Sequence, residues 1–251
     1  MNFGVCCVPV APIRIEANHK SEMISQLLFG EFCTIQEIDK NGWVNIICKA
    51  DGYRGWCQLA HIKDIDAVKY NTVKNNVADG WSNVIKYDGA LMTIPMGCLI
   101  DTEHIYYDPS VKLWQPENAI HNAATIKSIA VAFLNTAYLW GGRSVYGIDC
   151  SGFAQAVYKF LNISLLRDAH LQATQGEIVN FLQEAQCGDL AFFDDVDGKI
   201  VHVGILLSSQ EIIHASGKVR IDKIDNQGIV NTETVLRTHQ LRIIKRYFQQ
   251  C

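Results

Sequence analysis

The chain reads as an α+β protein in which short β-strands come first and a unit of helices followed by an antiparallel sheet comes second. Three observations carry that reading. Asn41-Gly42, Asp51-Gly52 and Asp88-Gly89 stand between apolar runs, and such dipeptides are strong hairpin signals. From Pro116 the composition changes, with ENAIHNAATIKSIAVAFLNT rich in alanine and helix formers. Beyond residue 187 the runs GDLAFF, KIVHVGILL, EIIHASG and LRIIKRYF are short, apolar and strand-like. Helices ahead of an antiparallel sheet make an α+β layout.

With 251 residues, 49% of them hydrophobic, the chain has room for one large or two small domains with true cores. The formal charge of −4 and the scattered Lys and Arg residues leave no basic footprint, which sets nucleic acid aside as a partner. Nine cysteines, an odd number without CxxC pairing, suit a reducing compartment better than a disulfide framework. The opening MNFGVCCVPVAPIRIEANHK has no positive segment before its apolar run and no clear small-residue cleavage site, so it makes a poor secretory signal. No stretch approaches the roughly 18 apolar residues of a membrane span. A cytoplasmic location with no membrane partner is expected.

Residues 3–15, around Pro9 and Pro12, predict an edge strand followed by an extended segment. SEMISQLLFGE is ambiguous between a helical turn and a strand, whereas EFCTIQEID and GWVNIICK predict two strands joined at Asn41-Gly42. DGYRGWCQLAHI repeats the pattern, so residues 1–65 predict a small barrel or sandwich. Residues 66–116 predict a β-rich linker or a reduced second unit of the same kind: Val84–Tyr87 and Ala90–Ile94 form a hairpin about Asp88-Gly89, and Gly97–Ile105 is a candidate strand. Residues 117–251 form the last domain. Its first helix carries Ile126, Ile129, Ala130, Phe133 and Leu134 on one face.

A second helix starts at Cys150. Gly141, Gly142 and Gly147 shape the loop before it, Asp149 is available as N-cap, and Phe153, Ala154, Val157, Phe160 and Leu161 recur at helical spacing. The free N–H groups and dipole of a helix start favour a thiolate and supply an oxyanion donor, which makes Cys150 the candidate nucleophile, with a lowered pKa. Its base is sought among histidines inside apolar strands of the same domain. His202 and His214 qualify. To act together they must share a face of the sheet, and direct pairing would set Leu206 opposite Gln210, leaving Leu207–Ser209 as a three-residue turn. His19, His61, His104, His121, His170 and His239 lack such a paired setting, and most of them are expected at the surface.

YLWGGRSVYGIDCSGF, together with GDLAFF, VHVGILL and IIHASG, resembles the active-site signature of the NlpC-type cell-wall peptidases, papain-like cysteine enzymes of bacteria that cut peptidoglycan stem peptides. The first half resembles the bacterial SH3-like domains attached to some of them. The resemblance implies a papain-like catalytic domain preceded by an all-β SH3-like barrel. It makes His202 the general base and His214 its orienting partner, brings the Tyr138 hydroxyl to the oxyanion side, and puts Trp140 on the substrate cleft wall. Asp149 and Ser151, which also read as helix caps, contact substrate in that family; Arg143 and Asp168 serve either substrate binding or loop structure. By the same likeness Glu22 and Tyr53 bind the ammonium of a free N-terminal L-Ala, and the SH3-like domain closes one end of the cleft. The implied reaction is hydrolysis of the γ-D-glutamyl bond to meso-diaminopimelate or lysine during murein peptide recycling. It needs neither metal nor organic cofactor. Acyl transfer by the same residues, or a non-catalytic wall-binding role, are the competing expectations.

Overall fold

A computed structural model describes residues 2–72, 76–102, 106–107 and 109–249. The chain divides into two units, Met1–Pro116 with Trp140–Tyr146, and Glu117–Leu139 with Gly147–Cys251.

The first unit begins with seven strands, β1 (Phe3–Cys6), β2 (Val10–Arg14), β3 (Met23–Leu28), β4 (Phe32–Ile38), β5 (Trp43–Cys48), β6 (Arg54–Gln58) and β7 (Ile62–Ile65). They form one sheet in the order β3-β2-β6-β5-β4-β1-β7. The expected edge strand at the N-terminus is therefore interior, with β1 held between β4 and β7. Pro12 is tolerated in β2 because that strand pairs fully with β3 alone and touches β6 only at Arg14↔Trp56, so the missing N–H costs no second ladder bond. The ambiguous SEMISQLLFGE supplies β3, whose Leu27 and Leu28 are buried. Asn41-Gly42 lies in a longer loop, where the Asp39 carboxylate accepts from the backbone N–H of Asn41 and Trp43, each at 2.8 Å.

After α1 (Ala67–Thr72) come β8 (Asn76–Ala78), β9 (Ser82–Tyr87), β10 (Ala90–Pro95), β11 (Leu99–Ile100), β12 (Tyr106–Tyr107) and β13 (Leu113–Trp114). They make two three-stranded sheets, β10-β9-β12 and β11-β8-β13, around Ala78, Ile85, Ile94, Cys98 and Ile100. Asp88 and Gly89 take φ of 47° and 84°, the doubly positive turn that a two-residue hairpin demands. The expected strand at Gly97–Ile105 shortens to β11, and Ile105 lies outside the described residues. β14 (Arg143–Ser144) also belongs to this unit.

The second unit comprises α2 (Ala123–Val131), β15 (Gly147–Ile148), α3 (Cys150–Phe160), α4 (Ala169–Gln172), β16 (Glu177–Val179), β17 (Leu190–Asp194), β18 (Ile200–Leu206), β19 (Glu211–Ser216), β20 (Lys218–Asp225), β21 (Gly228–Val230) and β22 (Arg237–Arg246). Strands β17 to β22 pair in succession, and β22 returns to pair with both β21 and β17, closing a six-stranded ring; β16 adds to β22. Ala191, Phe193, Leu206, Ile212, Ile224, Ile229 and Ile244 fill one cluster on it. Helix α3 buries its apolar face, with Phe153 edge-on to Phe133 at 5.8 Å between ring centroids. Among the described residues no helix is long and apolar enough to cross a membrane.

The β18–β19 register departs from direct histidine pairing. Gly204 stands opposite His214 and Leu206 opposite Ile212. Leu207 N–H reaches Glu211 at 2.9 Å, and the Ser208 hydroxyl accepts from Gln210 and Glu211, so the three-residue turn falls one residue later than expected. A shift of two in pairing preserves parity, so His202 and His214 remain on one face as diagonal neighbours.

One buried ion pair tests the first unit. Arg143 donates to the Glu31 carboxylate at 2.9 and 3.3 Å and to the Gln26 carbonyl at 2.6 Å, and Glu31 also accepts from Leu28 N–H. Because both side chains are less than a tenth exposed, Glu31→Gln removes the larger of the two carboxylate charges, Glu31 and Asp51, that act on a buried cation. The expected loss of stability by urea unfolding is about 3–5 kcal/mol. A loss under about 1 kcal/mol would show that the pair does not hold the unit together.

Candidate active site

Asp149 starts the site. Its backbone is extended and its carboxylate accepts from Gly152 N–H at 2.7 Å, the N-cap bond that begins α3 at Cys150. Arg167 then grips the same carboxylate through two nitrogens, at 2.5 and 3.1 Å, and reaches the Ser151 hydroxyl at 2.8 Å. Arg167 is 2% exposed. Sequence reading gave Asp149 and Ser151 a capping or substrate role and did not find this guanidinium, which sits in LLRDAH without any periodic signal. The Asp149 carboxylate is thus fully engaged within its own unit.

Cys150 follows at the first helical position and is 7% exposed. The β18–β19 ladder ends at Gly204↔His214, and the backbone of Val203 just before it, like that of Ser151, acts on the Cys150 sulfur. These donors and Arg167 favour a thiolate, but burial, with the Asp149 charge beside it, pushes the thiol up to about 12. The lowered pKa expected from the helix start alone is therefore corrected. Desolvation outweighs the backbone donors and the Arg167 charge.

The histidine pair and the carboxylate behind it come from three adjacent strands. His202 on β18 and His214 on β19 are both buried, and His202 Nε2 lies 2.8 Å from His214 Nδ1. Gly204 makes this diagonal contact possible: a Cβ there would come within 2.9 Å of the His214 Cβ and 2.7 Å of Ile212. On the other side His214 Nε2 lies 3.0 Å from the Asp222 carboxylate of β20, which also accepts from Arg220 at 2.8 and 3.0 Å and from the Thr232 backbone and hydroxyl. Burial would raise the Asp222 pKa, yet the bonds from His214, Arg220 and Thr232 hold it well below the usual carboxylate range. Burial, reinforced by His214 and His239, lowers His202 well below its ordinary value, so it rests as a neutral base.

His239 corrects an expectation. It is half-buried, not apart at the surface, and its ring stacks on His202 with centroids 4.2 Å apart at 24°. Asp222 and His239 were both missed, since KVRIDKID and the long run ending in LRIIKRYF reveal their partners only after the ring of strands closes. The ring nitrogens of His202, His214 and His239 lie within 4.8 Å of one another, a donor set that suits a transition metal. The bond between His202 Nε2 and His214 Nδ1 engages one nitrogen of each of these two rings, an arrangement along which a proton can pass.

The remaining candidates fall into place unit by unit. Tyr138 is half-buried, its backbone held by bonds to Gly217 and alongside Ile148; burial, then the nearby Cys150 and Asp149, raises its hydroxyl to about 12. Asp168 precedes α4, its carbonyl accepting from Leu171 and Gln172. In the first unit, the exposed Trp140 donates its indole N–H to Glu22 at 2.6 Å, and Tyr53 packs on the barrel core. Of the other histidines, His19 and His170 are exposed, His61 and His121 are half-buried, and His104 lies outside the described residues.

Residues 135–238 match the NlpC/P60 family, and residues 13–62 match the bacterial dipeptidyl-peptidase Sh3 domain. The chain is 28% identical over 248 residues to the gamma-D-glutamyl-L-lysine dipeptidyl-peptidase of Bacillus subtilis (strain 168), covering 90% of this chain and 81% of that one. It is 24% identical over 253 residues to dipeptidyl-peptidase 6 of Lysinibacillus sphaericus, covering 87% and 90%. Its fold is similar to the crystal structure of an NlpC/P60 family protein from Bacillus cereus ATCC 10987, with a TM-score of 0.80 at 18% identity over 98% of this chain and 99% of that one.

Two measurements follow from the site. With the resting thiol near 12, alkylation of Cys150 by iodoacetamide is expected to rise about tenfold per pH unit between pH 7 and 9; a plateau already reached by pH 7 would mean a resting thiolate. Acid stability is the second. Unfolded histidines take up protons near pH 6.5, whereas burial and His214 keep the His239 ring neutral until about 4 in the fold. In that window the unfolded state binds more protons, so stability falls as pH drops. The Tm is expected to decrease from pH 7 to 4.5 and the decrease to shrink in His239→Asn; equal slopes in the two proteins would show that His239 titrates alike folded and unfolded.

Proposed function

From its matches to the NlpC/P60 family and to the bacterial dipeptidyl-peptidase Sh3 domain, we propose that this chain is a cysteine peptidase that hydrolyses the bond between γ-D-glutamate and the diamino acid of peptidoglycan stem peptides. The observation that carries the reading is the buried nucleophile at the start of α3 beside a strand whose histidine is hydrogen-bonded to a second one. In this reading a substrate carbonyl meets a neutral thiol and a neutral base. The Cys150 proton passes to His202 as sulfur attacks, the backbone N–H of Cys150 bonds the developing oxyanion with the Tyr138 hydroxyl on the same side, and the imidazolium protonates the departing amine. Water then attacks the thioester, giving its proton to His202, and the thiol leaves protonated. Transferring the proton within the attack step suits a thiol that burial disfavours as an ion.

The preferred substrate in this proposal is a fragment with a free N-terminal L-Ala, met in a recycling role in the cytoplasm; the names of the dipeptidyl-peptidase relatives support only the dipeptidyl mode of cleavage. Glu22 and Tyr53 are the proposed ammonium contacts. A carboxylate site built for an ammonium rejects a neutral acyl group more strongly than lost contact area alone implies.

The test is incubation with L-Ala-γ-D-Glu-meso-diaminopimelate and its lysine analogue, each free and N-acetylated, read by mass spectrometry. Expected is cleavage at the γ-glutamyl bond, none with Cys150→Ala, and at least a hundredfold lower kcat/KM for the acetylated peptides. Comparable rates for free and acetylated peptides would remove the dipeptidyl specificity, and an acyl-transfer product in place of the free acid would move the reaction to a transferase.

A further inference from the structure

We propose that Asp222 is a positioning residue that sets the protonation pattern of both histidines and so determines which nitrogen of His202 is free to take the Cys150 proton. The inference rests on the cysteine–histidine chemistry proposed above and extends the site by one strand. Asp222 is 1% exposed and lies on β20 two residues from Arg220, which stands directly opposite His214; Asp222 is thus diagonal to His214, as His214 is to His202. The line of groups runs across three neighbouring strands.

The argument follows the hydrogens from the far end. An ionised carboxylate only accepts, so the His214 nitrogen facing it, Nε2, carries the hydrogen. In a neutral imidazole the other nitrogen is then bare, and His214 Nδ1 can only accept. Its partner at 2.8 Å, His202 Nε2, must therefore donate. That leaves His202 Nδ1 unprotonated, the atom the mechanism requires as base. The charge that starts this chain is well secured: Oδ2 accepts from His214 and from Arg220 Nε, while Oδ1 accepts from Arg220 Nη2 and from the Thr232 backbone N–H and hydroxyl. Glu233, 3.4 Å from Arg220 Nη1, and His239 are the other titratable groups at the cluster.

These donors also decide what an amide would do in place of the carboxylate. In Asp222→Asn the NH2 group must occupy one oxygen position. At Oδ1 it would face Arg220 Nη2 and the Thr232 N–H, two donors that cannot become acceptors. At Oδ2 it meets a single fixed donor, Arg220 Nε, and the His214 ring, which can accept by changing tautomer. The amide therefore turns its NH2 toward His214. His214 then bears its hydrogen on Nδ1, His202 Nε2 becomes the acceptor, and His202 Nδ1 carries a hydrogen where it should receive one. The substitution keeps the shape and reverses the proton pattern.

The experiment is nitrogen-15 NMR of the imidazoles in the wild-type protein and in Asp222→Asn, with kinetics on any cleaved peptide and alkylation of Cys150 by iodoacetamide, which needs no substrate. Expected in the wild type are a protonated Nε2 and a bare Nδ1 on His214, and a protonated Nε2 on His202. Expected in the variant is the inverted pattern, with kcat lower by about 10²–10⁴-fold, as when an equivalent carboxylate of another catalytic triad is made an amide, and KM within about threefold. A merely structural role for Asp222 would not invert tautomers. A wild-type His214 with its hydrogen on Nδ1, or a variant with kcat within threefold of wild type, overturns the proposal. The wild-type spectrum decides even if the variant does not fold, and because spectrum and alkylation are independent of substrate, a wrong substrate assignment is distinguishable from a wrong role for Asp222.

Discussion

The 2.8 Å contact between His202 and His214 is the constraint on which the catalytic unit depends. It is made diagonally, between residues that are not opposite one another, and it exists because the residue facing His214 is Gly204. A Cβ at that position would lie 2.9 Å from the His214 Cβ, so a side chain there would force His214 or its strand to shift. The contact also requires a sheet that keeps β18, β19 and β20 in fixed succession, which the closed ring of strands supplies by returning β22 to β17 and β21. A ring without open edges between these strands resists the register slip that would send one histidine to the opposite face.

At the helix start a different balance holds. The Asp149 carboxylate caps α3, but it also stands beside the sulfur that must at some point become negative. Arg167 reconciles the two by neutralising Asp149 with a two-pronged bond while buried itself. The cation offsets part of a repulsion that still adds to the desolvation of the thiol. What remains is a nucleophile and a base that are both neutral at rest, and a low-dielectric setting in which the fixed N–H groups of Val203 and Ser151 act on the sulfur with little screening by water.

The first unit uses the same physical device to a structural end. Arg143, from the segment just ahead of the catalytic cysteine in sequence, is buried there against Glu31 and Gln26. Gly141, with φ of 76°, allows close approach, since a Cβ would lie 2.5 Å from the Met23 carbonyl oxygen. Trp140–Tyr146 thus belongs to the first unit, and Tyr138 and Asp149 belong to the second.

By itself the sequence determined the features that depend on near neighbours. The helix at Cys150 was legible because its cap, its apolar spacing and its glycine loop are local; so was the Asp88-Gly89 turn, and so were His202 and His214, each conspicuous as a polar residue in an apolar strand. Parity even placed the two histidines on one face despite a pairing register two residues off, because a side chain changes face only when the shift is odd. Tertiary structure alone decided the rest. Arg167, Asp222 and His239 carry no local pattern, and each meets its partner only when a helix packs or the ring of strands closes. The state of Cys150 was decided there too: a helix start is visible in sequence, whereas desolvation is set by everything that covers the sulfur, and it is the largest of the effects acting on the thiol.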